Sequence, residues 1–322
     1  MSAYGEGVRI VIFTDYDSSA SLVDATLTEV RRRPGIEVVA VYTSASRLLR
    51  TRRPLTLLRR VLGAVARGRR SRRSGHVFEL CRRERVPLLL VPAGDPNAPD
   101  FIADVRSRWC PDVALSYWSR SIFGSGWLDA FDHAVNFHDG TIPDHRGLGA
   151  TMMERYEGLD TGGFTFHRID CGIDTGNVLV EGTVPTTGLA MVDIIEAKMA
   201  AAGRRVGEVL DLIDADDPGR APEGEGTYTS AVMLRRLMTV DDPAHVDRAE
   251  LRRRIVAFGS VVMSLPGGSA PVTGVARRSG VRWPRVHTAD GPVTVSRIDG
   301  FPAAGYLVGR AIRRVFRSPV SR

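Results

Sequence analysis

Val8-Arg9-Ile10-Val11-Ile12-Phe13 is a short, nearly continuous apolar run, the mark of a strand buried inside a sheet. Residues 20–33 follow with Leu22, Val23, Leu27 and Val30 at helical spacing, and Pro34-Gly35 ends the helix. Glu37 to Tyr42 reads as a second strand. Further along come a helix near Phe78–Arg85, the strand Leu88–Val91, a Pro/Asn/Asp loop from Pro92 to Pro99, a helix over 101–109 and the strand Val113–Tyr117. Strands that alternate with helices in this way predict an α/β fold with a doubly wound, mostly parallel sheet. Ligands of such sheets bind beyond the carboxyl ends of the strands.

Past the next strand, Ala134-Val135-Asn136-Phe137-His138, the pattern predicts a helix over 149–157, strands over Gly163–Ile169 and Val178–Val184, and one long amphipathic helix spanning about 188–213. Asp214 to Gly226 is polar and rich in Pro and Gly, as linkers are. We therefore expect a larger α/β domain over 1–213, with the segment 47–73 as an Arg-rich insertion, a linker over 214–226 and a smaller β-rich C-terminal domain over 227–322. That last part holds a helix near 248–257 and β-like runs at 270–277, 281–287 and 292–298.

The 322 residues are 43% hydrophobic and 25% charged, enough for a real core. Cys81, Cys110 and Cys171 are odd in number and far apart. They give no disulfide framework and no metal-ligand spacing, which fits a reducing cytoplasm. No apolar run is long enough to span a membrane, and Met1–Gly7 lacks the basic-then-apolar order of a signal peptide. The net charge of +7 is concentrated. Arg47 to Arg73 holds eleven arginines and no acid, so the rest of the chain is net negative. Such a block could meet phosphates, or it could be a solvated insertion; it lacks the aromatic residues of a single-strand stacking platform. Lys198 is the single lysine, so arginine is the chain's default cation.

The chemistry gathers in two segments. Asn136 and His138, two apart in a strand, face one side together. The polar loop Asp170-Cys171-Gly172-Ile173-Asp174-Thr175-Gly176 can bring a carboxylate to them. An amide, an imidazole and a carboxylate are the parts needed to stabilise an oxyanion and manage an amine's protons. The bland alternatives are a turn-capping Asn136, a satisfied His138 and an Asp170 that only shapes its loop. His133, His145 and His167 are weaker candidates, His167 as a strand residue lining the site.

Four segments in order resemble the formyltransferases that use 10-formyltetrahydrofolate. They are Asn136-Phe137-His138, the loop from Asp139 through Pro143 to Arg146-Gly147, Gly163-Phe164-Thr165-Phe166-His167, and Ile173-Asp174-Thr175-Gly176. The resemblance covers about residues 8–185 well and extends weakly into Thr227-Tyr228 and 248–258. It implies catalytic roles for Asn136, His138 and Asp174. Asn136 and His138 would stabilise the oxyanion, and Asp174 would sustain the imidazolium and take the amine's proton. It also implies a pterin held by Arg120, Ser121, Ile122, Asp170, Gly172 and Ile173, with Trp118 beneath it or in ordinary core. Asp139, Thr141 and Arg146 would lie on the acceptor side. No metal is implied.

Departures fall mostly on that acceptor side. Asp139-Gly140-Thr141-Ile142-Pro143 stands where the family usually has Pro-Ser-Leu-Leu-Pro, and Leu148-Gly149 where the methionyl enzymes have Ala-Pro. Phe13-Thr14-Asp15 lacks the glycine-rich turn of the purine-pathway members. The expectation is therefore N-formyl transfer to a small amine: an amino sugar, an amino acid derivative or a carrier-bound aminoacyl group. The alternatives are a methionyl-tRNA formyltransferase with a tRNA partner, a folate-binding paralogue without activity, and a formyltetrahydrofolate hydrolase.

Overall fold

The computed structural model describes residues 7–45, 76–265, 268–276 and 284–297. The Arg47–Arg73 block lies outside the described residues. The chain divides into two compact units, one of Met1–Ile142, Gly163–Thr183 and Glu196–Gly224, the other of Pro143–Gly162, Val184–Ile195 and Glu225–Arg322.

In chain order the strands are β1 (Val8–Phe13), β2 (Ile36–Thr43), β3 (Leu88–Leu90), β4 (Val113–Tyr117), β5 (His133–His138), β6 (Arg146–Gly147), β7 (Thr161–Arg168), β8 (Val178–Pro185), β9 (Tyr228–Thr229), β10 (Thr239–Val240), β11 (Val261–Leu265), β12 (Gly268–Ala276), β13 (Arg285–Thr288) and β14 (Gly291–Arg297). The helices are α1 (Ala20–Arg31), α2 (Val77–Glu84), α3 (Pro99–Trp109), α4 (Ser125–Leu128), α5 (Ala150–Glu157), α6 (Met191–Gly203), α7 (Val206–Asp214), α8 (Ala231–Leu237) and α9 (Arg248–Phe258).

The first unit is built on a seven-stranded sheet of order β3-β2-β1-β4-β5-β7-β8. β1 to β5 run parallel, and β7 joins β5 antiparallel. The order reverses at β1, whose successor β2 lies on one side and β4 on the other, so the carboxyl ends of β1 and β4 flank a topological switch point. β1 is central because nearly all of it is buried, Ile10, Val11 and Ile12 completely. Phe13 stacks on Tyr42 and meets Phe101, Phe123 and Trp127 edge-on. Each such burial contributes about 1.5–3 kcal/mol. The strand read from Val8–Phe13 is thus the anchor of the sheet.

One expected element is two. The helix expected over 188–213 is interrupted between Gly203 and Val206, giving α6 and α7. Glycine is a poor helix former. Arg205 sits at φ −102°, ψ −2° as the N-cap of α7, and its guanidinium reaches Glu208 and the Glu181 carbonyl. The amphipathic periodicity continues across the break, which is why the sequence reads as one helix.

In the second unit a five-stranded sheet of order β10-β11-β12-β14-β13 carries a core of Leu251, Ile255, Val261, Met263, Val272 and Val295. Residues 143–162 belong to this unit through α5, which packs on α9. Tyr156 stacks on Phe258, and its hydroxyl donates to Glu250 at 2.7 Å. β6 pairs in parallel with β9, Arg146 opposite Tyr228. The expected β-rich C-terminal part is therefore present, with β9, α8, β10 and β11 as elements the periodicity did not resolve. Of the run expected at 281–287, residues 281–283 lie outside the described residues, and β13 begins at Arg285 and ends at Thr288.

Candidate active site

The ladder around β5 assembles the site. β5 pairs with β4 so that Asn136 faces Ser116, and with β7 so that Asn136 lies opposite His167 and His138 opposite Thr165. Directly paired residues share a face of the sheet, and so do positions i and i+2. Asn136, His138, Thr165 and His167 are therefore presented on one side. Phe137 takes the other, against Phe166 at 5.4 Å between ring centroids.

Asp174 arrives from the loop between β7 and β8. Its backbone is left-handed, at φ +52°. Asp adopts that conformation more readily than most residues, and a tight loop imposes it here. Asp170 Oδ1 accepts from the Gly172 amide at 3.0 Å and from the Thr175 hydroxyl at 2.6 Å, turning the chain back on itself. Gly176 passes so close to the Arg168 carbonyl that a Cβ there would lie 1.9 Å from the oxygen. Asp170 thus shapes the loop, and Asp174 is what the loop presents.

The polar groups converge. His138 Nδ1 lies 3.4 Å from Asp174 Oδ2, and His167 Nε2 lies 3.4 Å from Asp174 Oδ1. Asn136 Nδ2 is 3.1 Å from His167 Nε2 and 3.5 Å from Asp174 Oδ1. His167 Nδ1 is 2.8 Å from the Arg168 carbonyl, which can only accept, so the proton sits on Nδ1. In the neutral ring Nε2 then accepts from Asn136. His167 therefore orients the amide, a role beyond the strand residue lining the site that its spacing suggested. Both imidazoles are almost fully buried, and the carboxylate is largely so. Such an array can hold a proton on a ring nitrogen, steady the resulting cation and offer N–H donors to a nascent oxyanion.

The remaining expected residues are spread more widely. Arg120, Ser121 and Ile122 follow β4. The Arg120 amide donates to Asp15 Oδ2 at 2.8 Å, the Ser121 amide approaches Ser119 Oγ at 3.3 Å, and the Ile122 carbonyl accepts from Asn97 at 2.8 Å. These bonds fix the segment and leave the Ile122 side chain 70% exposed. Ile173 is exposed on the Asp174 loop. Asp139 and Thr141, half-buried, lie on the loop directly after His138. Arg146 belongs to the second unit, where its guanidinium donates to the Glu225 carbonyl at 3.0 Å. Trp118 sits at φ +55° at the end of β4, edge-on to Tyr16 at 6.0 Å.

Of the other histidines, His133 begins β5. Arg168 donates to its Nδ1 at 2.6 Å, and burial, reinforced by the Arg168 charge, holds its pKa below the ordinary histidine value. His145 Nε2 pairs with Glu157 at 2.8 Å in the second unit.

Sequence reasoning did not single out Asp15. Its buried carboxylate ties the ends of β1, β2 and β4 together, accepting from the Ser44 amide at 2.6 Å, the Thr43 hydroxyl at 3.2 Å and Arg120. The available signal was an acid directly after the central strand. Among the described residues no group of three or more His, Cys, Asp and Glu could hold a metal ion, and no helix is long and apolar enough to cross a membrane.

Residues 67–206 match the family model described as formyl transferase. GDP-perosamine N-formyltransferases of Brucella melitensis and Brucella abortus are each 29% identical to it over 168 residues, 51% of this chain and 63% of theirs. The chain thus spans somewhat under two thirds of those curated relatives. The methionyl-tRNA formyltransferase of Chlamydia muridarum is 25% identical over 237 residues, 72% of each chain. Among solved structures, a sugar N-formyltransferase from a Shewanella species superposes with a TM-score of 0.60 at 15% identity, covering 85% of this chain and 99% of that one, a likeness of fold.

Proposed function

We propose that this protein is an N-formyltransferase that moves a formyl group from 10-formyltetrahydrofolate to the primary amine of an amino sugar. The observation that carries the reading is the convergence of Asn136, His138 and Asp174 at the carboxyl end of β5. Transfer from an activated formamide to an amine needs alignment, an oxyanion site and a proton acceptor. His138, with Nδ1 turned to Asp174, would act as the second donor to the oxyanion. Asn136 keeps one N–H on His167. The other makes the long contact to Asp174 and is exchanged for the oxyanion as charge develops. Asp174 sustains the imidazolium and receives the proton released when the amine becomes an amide, while the imidazolium of His138 gives its proton to the departing nitrogen of the folate.

The loops carrying Arg120–Ile122 and Asp170–Ile173 would hold the pterin of the donor, with Ile122 and Ile173 as its apolar contacts. Asp139 and Thr141 would face the acceptor. The GDP-perosamine relatives favour a nucleotide-linked amino sugar within the broader class of small amines. The direct test incubates the purified chain with the formyl donor and a panel of nucleotide-linked amino sugars, reading a mass gain of one formyl group. Gain on a sugar amine supports the reading; gain on none of the amines contradicts it.

A second reading, methionyl-tRNA formylation, is favoured by one observation: the likeness to the Chlamydia muridarum enzyme extends over 72% of both chains. Steeply salt-dependent binding of initiator tRNA, followed by its formylation, would select this reading.

A further inference from the structure

Lys198, the only lysine of the chain, is completely buried on α6. Its ammonium donates to the carbonyl of Asp139 at 2.8 Å. Asp139 is the residue immediately after His138. Thr165, directly opposite His138 in the β5–β7 ladder, donates its hydroxyl to the next carbonyl, that of Gly140, at 2.8 Å, and it too is fully buried. One step further, Thr141 presses on β7, and a Cβ on Gly163 would lie 2.3 Å from Thr141 Cγ2. The chain leaving His138 is therefore held at three successive residues along β7 and α6.

Burying an ammonium is unfavourable unless its charge is met by well-placed acceptors. A core-filling role would be served by an apolar side chain of the same length. The ammonium supplies a charge-assisted hydrogen bond, stronger than a neutral one, to the Asp139 carbonyl. Catalytic groups act within narrow tolerances, and a displacement of about 1 Å can cost about 100-fold in rate. We propose that Lys198 and Thr165 form a two-point clamp on the Asp139–Gly140 backbone, and that Lys198 is a positioning residue for the His138 imidazole. The kinetic part of this inference rests on the formyl-transfer reading; the structural part does not.

The test uses the full chain with Lys198→Met, which keeps the apolar stem, Thr165→Val, which keeps the shape, and the double variant. Three readouts are taken: kcat and KM for transfer, thermal unfolding, and amide hydrogen exchange over 138–142. The expected result is a loss of about 10- to 100-fold in kcat for each single variant with KM unchanged. The double variant should fall little further than the worse single, because both bonds hold one loop. Exchange over 138–142 should quicken while β1 and β4 stay protected. Wild-type kcat per folded molecule in both singles, with only a lower unfolding temperature, would overturn the clamp. Should Lys198→Met fail to fold, Thr165→Val decides alone on the same criteria. Should the wild-type chain transfer no formyl group, that reading fails, and unchanged exchange over 138–142 would still overturn the clamp.

Discussion

Asp174 Oδ2 stands 3.4 Å from His138 Nδ1, although 36 residues separate them in the chain and Asp174 sits in a left-handed backbone conformation to get there. The distance is longer than an ordinary N–H···O bond, as catalytic contacts often are before a reactant draws them together. Its position depends on the 170–176 loop.

Gly176→Ala should therefore disable the site from a distance. The added methyl would meet the Arg168 carbonyl, whose oxygen also receives His167 Nδ1. The loop must shift, carrying Asp174 with it. We expect loss of transfer with only a moderate fall in unfolding temperature; unaltered kcat would show that the loop's closeness does not matter to the chemistry.

Asn136→Ala should lower kcat by about 100- to 1,000-fold, the usual effect of removing one oxyanion donor. His167→Leu should produce part of the same loss, because the amide is then no longer turned by Nε2. Combining the two should cost little more than Asn136→Ala alone. Fully additive losses would separate the residues into independent roles.

The cysteines report on the Asp174 loop. Cys81 is buried, which pushes its thiol up to about 12, whereas Cys110 and Cys171 are exposed. Native protein should show two rapidly reacting thiols and a third only after denaturation. A folate analogue should protect Cys171, which lies between Asp170 and Gly172, and leave Cys110 reactive. Equal reactivity of Cys171 with and without the analogue would count against the loop as a pterin contact.

His133 should give the folded protein an acid-side weakness. Its pKa is lowered from 6.5 by burial first and the Arg168 charge next, so the unfolded chain binds the proton more readily than the folded one. Stability from the neutral ring is fully present above about pH 6.5 and declines as pH falls toward the folded-state value. Denaturant unfolding of His133→Leu should depend less on pH below 6.5 than that of the wild type. Identical slopes would mean that the ring titrates alike in both states.

Much of this was legible in the sequence, because burial writes itself as apolar runs. Val8–Phe13 reads as a buried strand and is one; Asn136 and His138 share a face because the strand period is two. The break at Gly203 to Arg205 was hidden, because helical periodicity continues in phase across it. The contact of His167 with Asn136 was hidden too, since it follows from the antiparallel register of β5 and β7, which no local pattern specifies. Asp15 and Lys198 act by bonding backbone far away in sequence, and their residue type alone carries no sign of it.

The central claim is most directly tested by single-turnover formyl transfer to a nucleotide-linked amino sugar, with donor binding measured in parallel, for the wild type, His138→Ala and Asp174→Asn. The account predicts that transfer falls by at least about 100-fold in both variants while the donor still binds. Near-normal transfer by either variant would contradict it.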